Sequence, residues 1–193
     1  MNFVRTYSGR DVSLAEPHFA TINIRDIACA LSRINRFCGA TLLPVNVADH
    51  SLNVLRLLAM ARNSPEVQML GLLHDAHEAY IGDITAPMRR QIKASAGHDV
   101  VQATADQLDQ SIRQAFGLAR HASARHLALV HAADQAVLAA EWRDLMQGPV
   151  PFATVPAPFA IKPRNSDQSE IAYLKAFDQL RIELDTTYQQ PSI

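Results

Sequence analysis

Apolar residues recur every three to four positions along most of the chain, which is the pattern of amphipathic helices. The pattern begins near Ile27 and Leu31, whereas the preceding segment at 1–23 has no helical period. We therefore predict an extended arm or short hairpin at 1–23, one helical domain at 24–187 and a short tail at 188–193. Since no internal repeat is present, the predicted fold class is all-α with a single domain.

Proline, glycine and capping residues indicate where the helices begin and end. Ser64 and Pro65 provide an N-cap and a first helical residue for the third helix. Asp167 and Glu170 have the spacing of a capping box near the start of the last helix. The apolar, proline-rich segment at 148–163 is predicted to lie across the helices. The predicted helices start at residue 24, cover 47–62 and 65–79, start again at 88, and cover 99–116, 122–146 and 168–185.

The composition is that of a compact globular protein. Its 193 residues match one domain, and 48% hydrophobic with 19% charged residues exclude a disordered or fibrous chain. The net charge of −1, without a basic run, argues against a nucleic-acid polymer as partner. Two cysteines are too few for a disulfide framework, and no apolar stretch reaches the length of a membrane span. We therefore predict a cytoplasmic protein that does not enter a membrane.

Two histidines and two aspartates occupy positions where the helical pattern predicts core. They are His50, the adjacent pair His74 and Asp75, and Asp134, which is a lone acid in an apolar helical stretch. A carboxylate buried alone is costly, so each aspartate must be paired or bind a cation. Mixed nitrogen and oxygen ligands suit a divalent ion such as Mn, Fe, Co, Ni or Zn. Taken singly, each residue also fits an ordinary role as a hydrogen-bonded histidine, a helix cap or a surface charge.

Two further carboxylates follow the His74 and Asp75 pair. Glu78 comes three residues after Asp75, which places both on one face of the predicted helix. Asp83 comes directly after Gly82, where that helix is predicted to end. A solvent-exposed face would account for Glu78 and an N-cap for Asp83. Neither role explains an aspartate placed after an apolar run, so a functional cluster is the favoured hypothesis.

The order and separation of these residues resemble the H…HD…D signature of the HD-domain phosphohydrolases. The residues that carry the resemblance are, in chain order, Arg36-Phe37, His50, His74-Asp75, Glu78, Asp83 and Asp134. The resemblance extends over roughly residues 5–185, nearly the whole chain. It is closer to the compact 5′-deoxynucleotidases, and to bacterial and phage relatives that hydrolyse deoxynucleoside triphosphates, than to other branches.

The resemblance implies an all-helical HD fold with one divalent transition metal ion, Mn, Co or Zn, and Mg for the substrate phosphates. The implied metal ligands are His50, His74, Asp75 and Asp134. Glu78 and Asp83 are the implied acid and base residues. We favour Glu78 for positioning the attacking water and Asp83 for the 3′-hydroxyl or the leaving oxygen, since both positions match the family motif.

The resemblance also indicates which side chains would contact the substrate. Arg36 offers a bidentate clamp for phosphate, and Phe37 offers a ring face for the base or sugar, where the nucleotidase branch has Trp. His77 is expected to support the metal ligands or contact phosphate, with an ordinary position on the helix surface as the alternative. Arg89 and Lys93, one helical turn apart, are predicted to reach further phosphates, with an ordinary solvated face as the alternative for this pair.

The predicted activity is metal-dependent hydrolysis of deoxynucleotides, with dATP-type triphosphates favoured and 5′-monophosphates as the close alternative. A di-iron oxygenase of the same fold is less well supported, because no complete second ligand set is seen. A protein that only binds nucleotide is also less well supported, because such a site has no need of Glu78 and Asp83. Relatives of this kind often form homo-oligomers, for which the apolar loop at 149–158 is a candidate contact. A phage-encoded chain would act in the host cytoplasm.

Overall fold

The computed structural model describes residues 3–189, with only the backbone given for 187–189. The described part of the chain contains eight α-helices, two short 3₁₀ helices (Phe19–Thr21 and Arg36–Gly39) and a two-stranded hairpin, so the predicted all-α class is confirmed. The predicted tail begins inside the last helix, and its final residues 190–193 lie outside the described part. The elements are β1 (Phe3–Arg5), β2 (Asp11–Ser13), α1 (Ile24–Leu31), α2 (Val47–Met60), α3 (Pro65–Leu72), α4 (Glu78–Ile81), α5 (Ala86–Ala96), α6 (Val100–Ala115), α7 (Ala124–Leu145) and α8 (Ser166–Gln189).

The N-terminal segment is an antiparallel hairpin that is fastened to α1. Val4 pairs with Val12, and Val12 is completely buried. The carboxylate of buried Asp26 on α1 accepts hydrogen bonds from the hydroxyls of Thr6 and Ser8 and from the Ser8 backbone N–H. These bonds satisfy both oxygens of a carboxylate that would otherwise be costly to bury.

The core lies between α2, α3, α7 and α8. Helices α2 and α3 pack against each other and against both α7 and α8, and α1 packs against α8. Each helix contributes apolar residues spaced by three or four, such as Met69 and Leu72 on α3 and Val137 and Ala140 on α7, and all four of these are completely buried. None of the helices in the described residues has the length and apolar character needed to cross a membrane. The core positions the start of α2, the end of α3 and the middle of α7 next to each other.

The prediction of one helix over 65–79 is wrong. Helix α3 ends at Leu72, residues 73–77 form a turn, and α4 begins at Glu78. Asp75 therefore lies in a turn and does not share a helix face with Glu78. The hydrophobic pattern could not reveal this, because apolar residues continue on both sides of the turn.

The physical reason for the break lies at His74. Its Nδ1 lies 2.8 Å from the Gly71 carbonyl, to which it must donate because a carbonyl only accepts. A continuing α-helix would pair this carbonyl with the N–H of Asp75. In the turn the backbone tightens, and the N–H of Glu78 donates to the carbonyl of Asp75, three residues back.

The start of α8 also differs from the prediction. The capping box is formed by Asn165 and Gln168, not by Asp167 and Glu170. The Asn165 side chain accepts from the N–H of Gln168 at 2.9 Å, and the Gln168 side chain accepts from the N–H of Asn165 at 3.2 Å. The preceding proline-rich loop lies across α7 as predicted, since its Ala157 N–H donates to a carbonyl of α7.

Tyr173→Phe is expected to lower the free energy of unfolding by about 1–2 kcal/mol. The hydroxyl of completely buried Tyr173 donates to the carbonyl of Leu72 at 2.9 Å, which ties α8 to the last residue of α3. Removing it leaves this carbonyl without that donor. Urea denaturation would measure the change, with Tyr7→Phe as a control because Tyr7 is 75% exposed. Equal stability of the two variants would contradict the expectation.

Candidate metal centre

The four predicted metal-ligand residues converge. His50 comes from the first turns of α2, His74 and Asp75 from the turn after α3, and Asp134 from the middle of α7. The Nε2 of His50 lies 3.1 Å from Oδ1 of Asp134, and the Nε2 of His74 lies 3.1 Å from Oδ2 of Asp75. The two remaining cross distances, His50 to Asp75 and His74 to Asp134, are 3.7 and 3.8 Å. Ligand atoms of His50, His74 and Asp134 therefore surround a point that could hold a metal ion.

The position of the proton on the His74 ring is compatible with metal binding. Its Nδ1 carries the proton donated to Gly71, so in the neutral ring the Nε2 carries a lone pair. This Nε2 is buried and makes no hydrogen bond of good geometry among the described residues, although Oδ2 of Asp75 lies 3.1 Å away. A buried nitrogen lone pair between two carboxylates is suited to a borderline divalent cation, with the carbonyl bond fixing the ring orientation.

Glu141 belongs to the same cluster and was not found from the sequence. It is completely buried on α7, and its Oε1 lies 2.9 Å from Nδ1 of His50 while its Oε2 accepts from Nε of Arg36 at 3.1 Å. Burial alone would raise its pKa, but Arg36 and His50 hold the pKa of this carboxyl below its usual range. An ionised Glu141 requires a proton on Nδ1 of His50, which leaves Nε2 free toward Asp134.

The carboxylates give the centre a strong preference for positive charge. Burial opposes charge on His74, yet Asp75 and Asp134 raise the pKa of its ring to about 9. Burial also opposes ionisation of the two aspartates, but the imidazoles lower the pKa of Asp134 to about 2 and hold that of Asp75 well below its usual range. A cation at this point would therefore be bound by ionised carboxylates at neutral pH.

The centre opens into a cavity of about 520 Å³. Asp75 and Asp134 form one part of its wall, and buried Arg36 stands beside them with its NH1 3.6 Å from Oδ2 of Asp75. The predicted acid and base residues Glu78 and Asp83 also line the cavity. The structure thus brings candidate metal ligands, a guanidinium and two further carboxylates into one space.

Glu78 and Asp83 have altered ionisation. Burial, with the negative charges of Asp75 and Asp83 nearby, raises the pKa of Glu78 to about 9, and its Oε2 is buried with no hydrogen-bond partner among the described residues. Burial also raises the pKa of Asp83, which Arg36 and a hydrogen bond from the Phe37 N–H partly offset. Carboxyl groups tuned upward in a cleft are suited to proton transfer near neutral pH.

His77 faces a different neighbour. Its Nδ1 lies 3.0 Å from Oδ1 of Asp109 on α6, and it is not among the residues that line the cavity. Asp75, His77 and Glu78 also have ligand atoms close enough together to hold a metal ion. His77 therefore stands beside the candidate metal ligands and does not line the cavity, so the structure does not show the expected contact with phosphate.

Arg89 and Lys93 do not reach the cavity. Both approach Asp99, with NH2 of Arg89 at 3.4 Å and Nζ of Lys93 at 3.8 Å, and Arg89 also donates to Gln102. The cavity is lined instead by Arg90, the next residue along α5. One position turns a helical side chain by about 100°, which directs Arg89 and Lys93 toward α6. This differs from the predicted phosphate-contacting pair.

Three aromatic rings complete the cavity wall. Phe37 has a left-handed backbone with φ of 55°, which points to a constrained conformation at the site. Its ring lies 6.1 Å from that of Trp142 at 88°, and the Trp142 ring lies 5.9 Å from that of Phe152 at 83°. Trp142 and Phe152 were missed from the sequence, because only the packing of α7 against the following loop brings them together.

The sequence of the chain is similar to those of two bacterial proteins. No family model matches the chain. The chain is 33% identical to the uncharacterized protein YfdR of Escherichia coli (strain K12) over 145 residues, 75% of this chain and 73% of YfdR. The chain belongs to the YfdR family. An uncharacterized protein of Rhodobacter capsulatus is 36% identical over 120 residues, 59% of this chain and 58% of that protein. Neither YfdR nor the Rhodobacter protein carries an activity in its name, so the function has to be inferred from the site.

Proposed function

We propose that the chain is a metal-dependent phosphohydrolase of deoxynucleotides with an HD-type centre. The observation that carries the proposal is the convergence of His50, His74, Asp75 and Asp134 at the edge of a cavity. The buried Nε2 of His74 beside two carboxylates, and the net preference of the cluster for positive charge, support one divalent transition ion, Mn, Co or Zn. The resemblance to HD phosphohydrolases supports the same assignment.

The residues around the centre divide the chemistry among them. A bound divalent ion would supply Lewis acidity to a phosphoryl oxygen and would acidify water. Arg36, fixed by Glu141, pairs with a phosphate that enters the cavity. A cation bound beside Glu78 would favour its ionised form, in which Glu78 positions the attacking water and takes up its proton. Asp83 binds the 3′-hydroxyl or donates a proton to the leaving oxygen. All of these side chains line the cavity except Glu141, which holds Arg36 from behind.

The part of the cavity lining that α5 contributes favours a substrate with several phosphates. Thr85, Ala86 and Pro87 at the start of α5 line the cavity together with Arg90. The Thr85 side chain makes no capping hydrogen bond and Pro87 has no N–H, so an anion at the positive end of α5 would meet the N–H groups of Ala86 and Met88, with Arg90 beside them. We therefore favour a deoxynucleoside triphosphate, with dATP as the first candidate.

A 5′-nucleotidase acting on deoxynucleoside monophosphates is the second candidate. The observation that favours it is the engagement of Arg89 and Lys93 with Asp99, which leaves fewer cations for a phosphate chain than the sequence predicted. The two activities differ in their products, because a triphosphohydrolase releases triphosphate and a nucleotidase releases only orthophosphate.

Product analysis by chromatography tests both candidates. We expect dATP with Mn, Co, Zn or Mg to give deoxyadenosine and triphosphate or successive phosphates, with dGTP, dAMP and the ribonucleotides showing how far base and sugar are selected. Turnover confined to dAMP and similar monophosphates would replace the triphosphate assignment by the nucleotidase. If no nucleotide is cleaved with any of the metals, the proposed function is wrong.

A further inference from the structure

One wall of the cavity is apolar and aromatic, and it begins at the metal centre. Asp134, Leu138 and Trp142 are spaced by four along α7 and all line the cavity, so they form one stripe along the helix. Eight residues of helix rise by about 12 Å. The ionic end and the aromatic end of this wall are thus separated, as the phosphate and the base of a nucleotide are separated by its sugar.

The orientation of the Trp142 ring is fixed by its neighbours. Phe37 and Phe152 each meet it nearly at a right angle, at centroid distances of 6.1 and 5.9 Å. Edge-to-face contacts of this kind are favourable for aromatic rings. All three rings are only half-buried although they line a cavity, so aromatic surface remains available to a ligand.

Three different parts of the chain provide these rings. Phe37 lies in the left-handed segment before α2, Trp142 lies near the end of α7, and Phe152 lies in the loop between α7 and α8. The loop is anchored a few residues later, where Ala157 bonds to α7 and is itself buried. A wall built in this way is held in place before a substrate arrives, which reduces the entropy lost on binding.

We propose that Phe37, Trp142 and Phe152 form the base-recognition wall of the cavity, with the heteroaromatic base of a nucleotide stacking on the Trp142 indole. The inference rests on the proposed function for the identity of the substrate, and it adds the residues that select nucleotides from other phosphate esters. Aromatic rings tolerate any base, because every base has a π-face. Selection between bases is therefore expected to be weak at this wall.

The sequence contains a single tryptophan, so the fluorescence of the protein reports directly on Trp142. Deoxyadenosine, dAMP and deoxyribose 5-phosphate would each be titrated into the full chain in the presence of a chelator, where no turnover is expected. We expect saturable quenching of the tryptophan emission by the two ligands that carry a base and none by deoxyribose 5-phosphate. Equal quenching by all three, or calorimetric binding of dAMP without any change in emission, would overturn the proposal.

Variants of the two loop phenylalanines provide the matched test. Phe152→Leu is expected to weaken dAMP binding about tenfold or more, since a stacking platform loses one of its supports. Phe159→Leu is the control, because Phe159 lies in the same loop but packs against Arg56 with a ring-to-guanidinium distance of 4.0 Å. Equal losses in both variants would contradict a specific role for Phe152.

The same measurements separate this inference from the proposed function. Quenching by dAMP in a protein that hydrolyses no nucleotide would support the wall and remove the phosphohydrolase assignment. Hydrolysis of dATP with a KM that is unchanged in Trp142→Leu would support the phosphohydrolase and remove the wall. With both correct, Trp142→Leu raises KM for dATP about ten- to a hundredfold and changes kcat much less.

Discussion

Asp75→Asn is expected to reduce nucleotide hydrolysis by roughly a thousandfold or more while leaving the fold intact. The substitution keeps the size of the side chain and removes its charge. The Oδ2 of Asp75 lies 3.1 Å from Nε2 of His74, 3.7 Å from Nε2 of His50 and 3.6 Å from NH1 of Arg36. The substitution therefore removes a negative charge that interacts with all three side chains. We expect weaker metal binding and loss of the carboxylate that faces the reacting phosphate. Steady-state kinetics with Mn and elemental analysis of the purified variant would measure both effects.

Controls for this expectation concern charge and metal. Asp178→Asn removes one carboxylate from an exposed position on α8 and is expected to retain full activity. A chelator should abolish turnover by the wild-type chain, and added Mn or Co should restore it, while Asp75→Asn stays inactive after the same treatment. If Asp75→Asn hydrolysed nucleotides at the wild-type rate, the assignment of Asp75 to the reaction centre would be wrong, whether or not the variant binds metal.

The candidate metal ligands could be predicted because they break the local pattern. Asp75 and Asp134 are single acids within apolar stretches, and burial of such a group requires a partner or a cation. The order in which His50, the His74 and Asp75 pair, and Asp134 follow along the chain then led to the resemblance. Their convergence in the structure agrees with that expectation at the level of geometry, whereas the identity of a bound ion and the reaction stay proposals.

The parts that could not be predicted depend on helix phase and on tertiary packing. The sequence pattern placed the start of α5 at residue 88, whereas the helix begins at Ala86. More important is its rotation against α6, which directs Arg89 toward Asp99 and leaves Arg90 in the cavity wall. No rule that uses the sequence alone fixes such a rotation, since both arginines lie on the polar side of the helix.

Glu141 could have been found by the signal that identified Asp134. It stands seven residues later on the same helix, two turns along one face, and it too follows an apolar run. The sequence could not show that Glu141 pairs with Arg36 and His50. The Arg36 guanidinium reaches Glu141 across 105 positions in sequence, from a segment that precedes α2.

Glu141→Ala is expected to lower the free energy of unfolding by about 3–5 kcal/mol, the usual cost of leaving one partner of a buried ion pair alone. Glu141 is completely buried and bonds both Nδ1 of His50 and Nε of Arg36. Its removal leaves a buried guanidinium near fewer carboxylates and frees the His50 ring to adopt the other tautomer. The variant should therefore also bind metal more weakly. Urea denaturation, with and without added Mn, would measure the two effects separately.

Glu141→Gln distinguishes the charge of Glu141 from its geometry. The amide oxygen can still accept from Nδ1 of His50, so the ring keeps its orientation, but the charge that balances Arg36 is gone. We expect Glu141→Gln to lose less stability than Glu141→Ala but more than the wild type. We also expect its metal affinity to be closer to that of the wild type than the affinity of Glu141→Ala is. Glu16→Ala, at an exposed position before α1, serves as a control and is expected to change stability by less than about 0.5 kcal/mol. If Glu141→Ala behaved like this control, the buried pair would not stabilise the fold and His50 would need no support from α7.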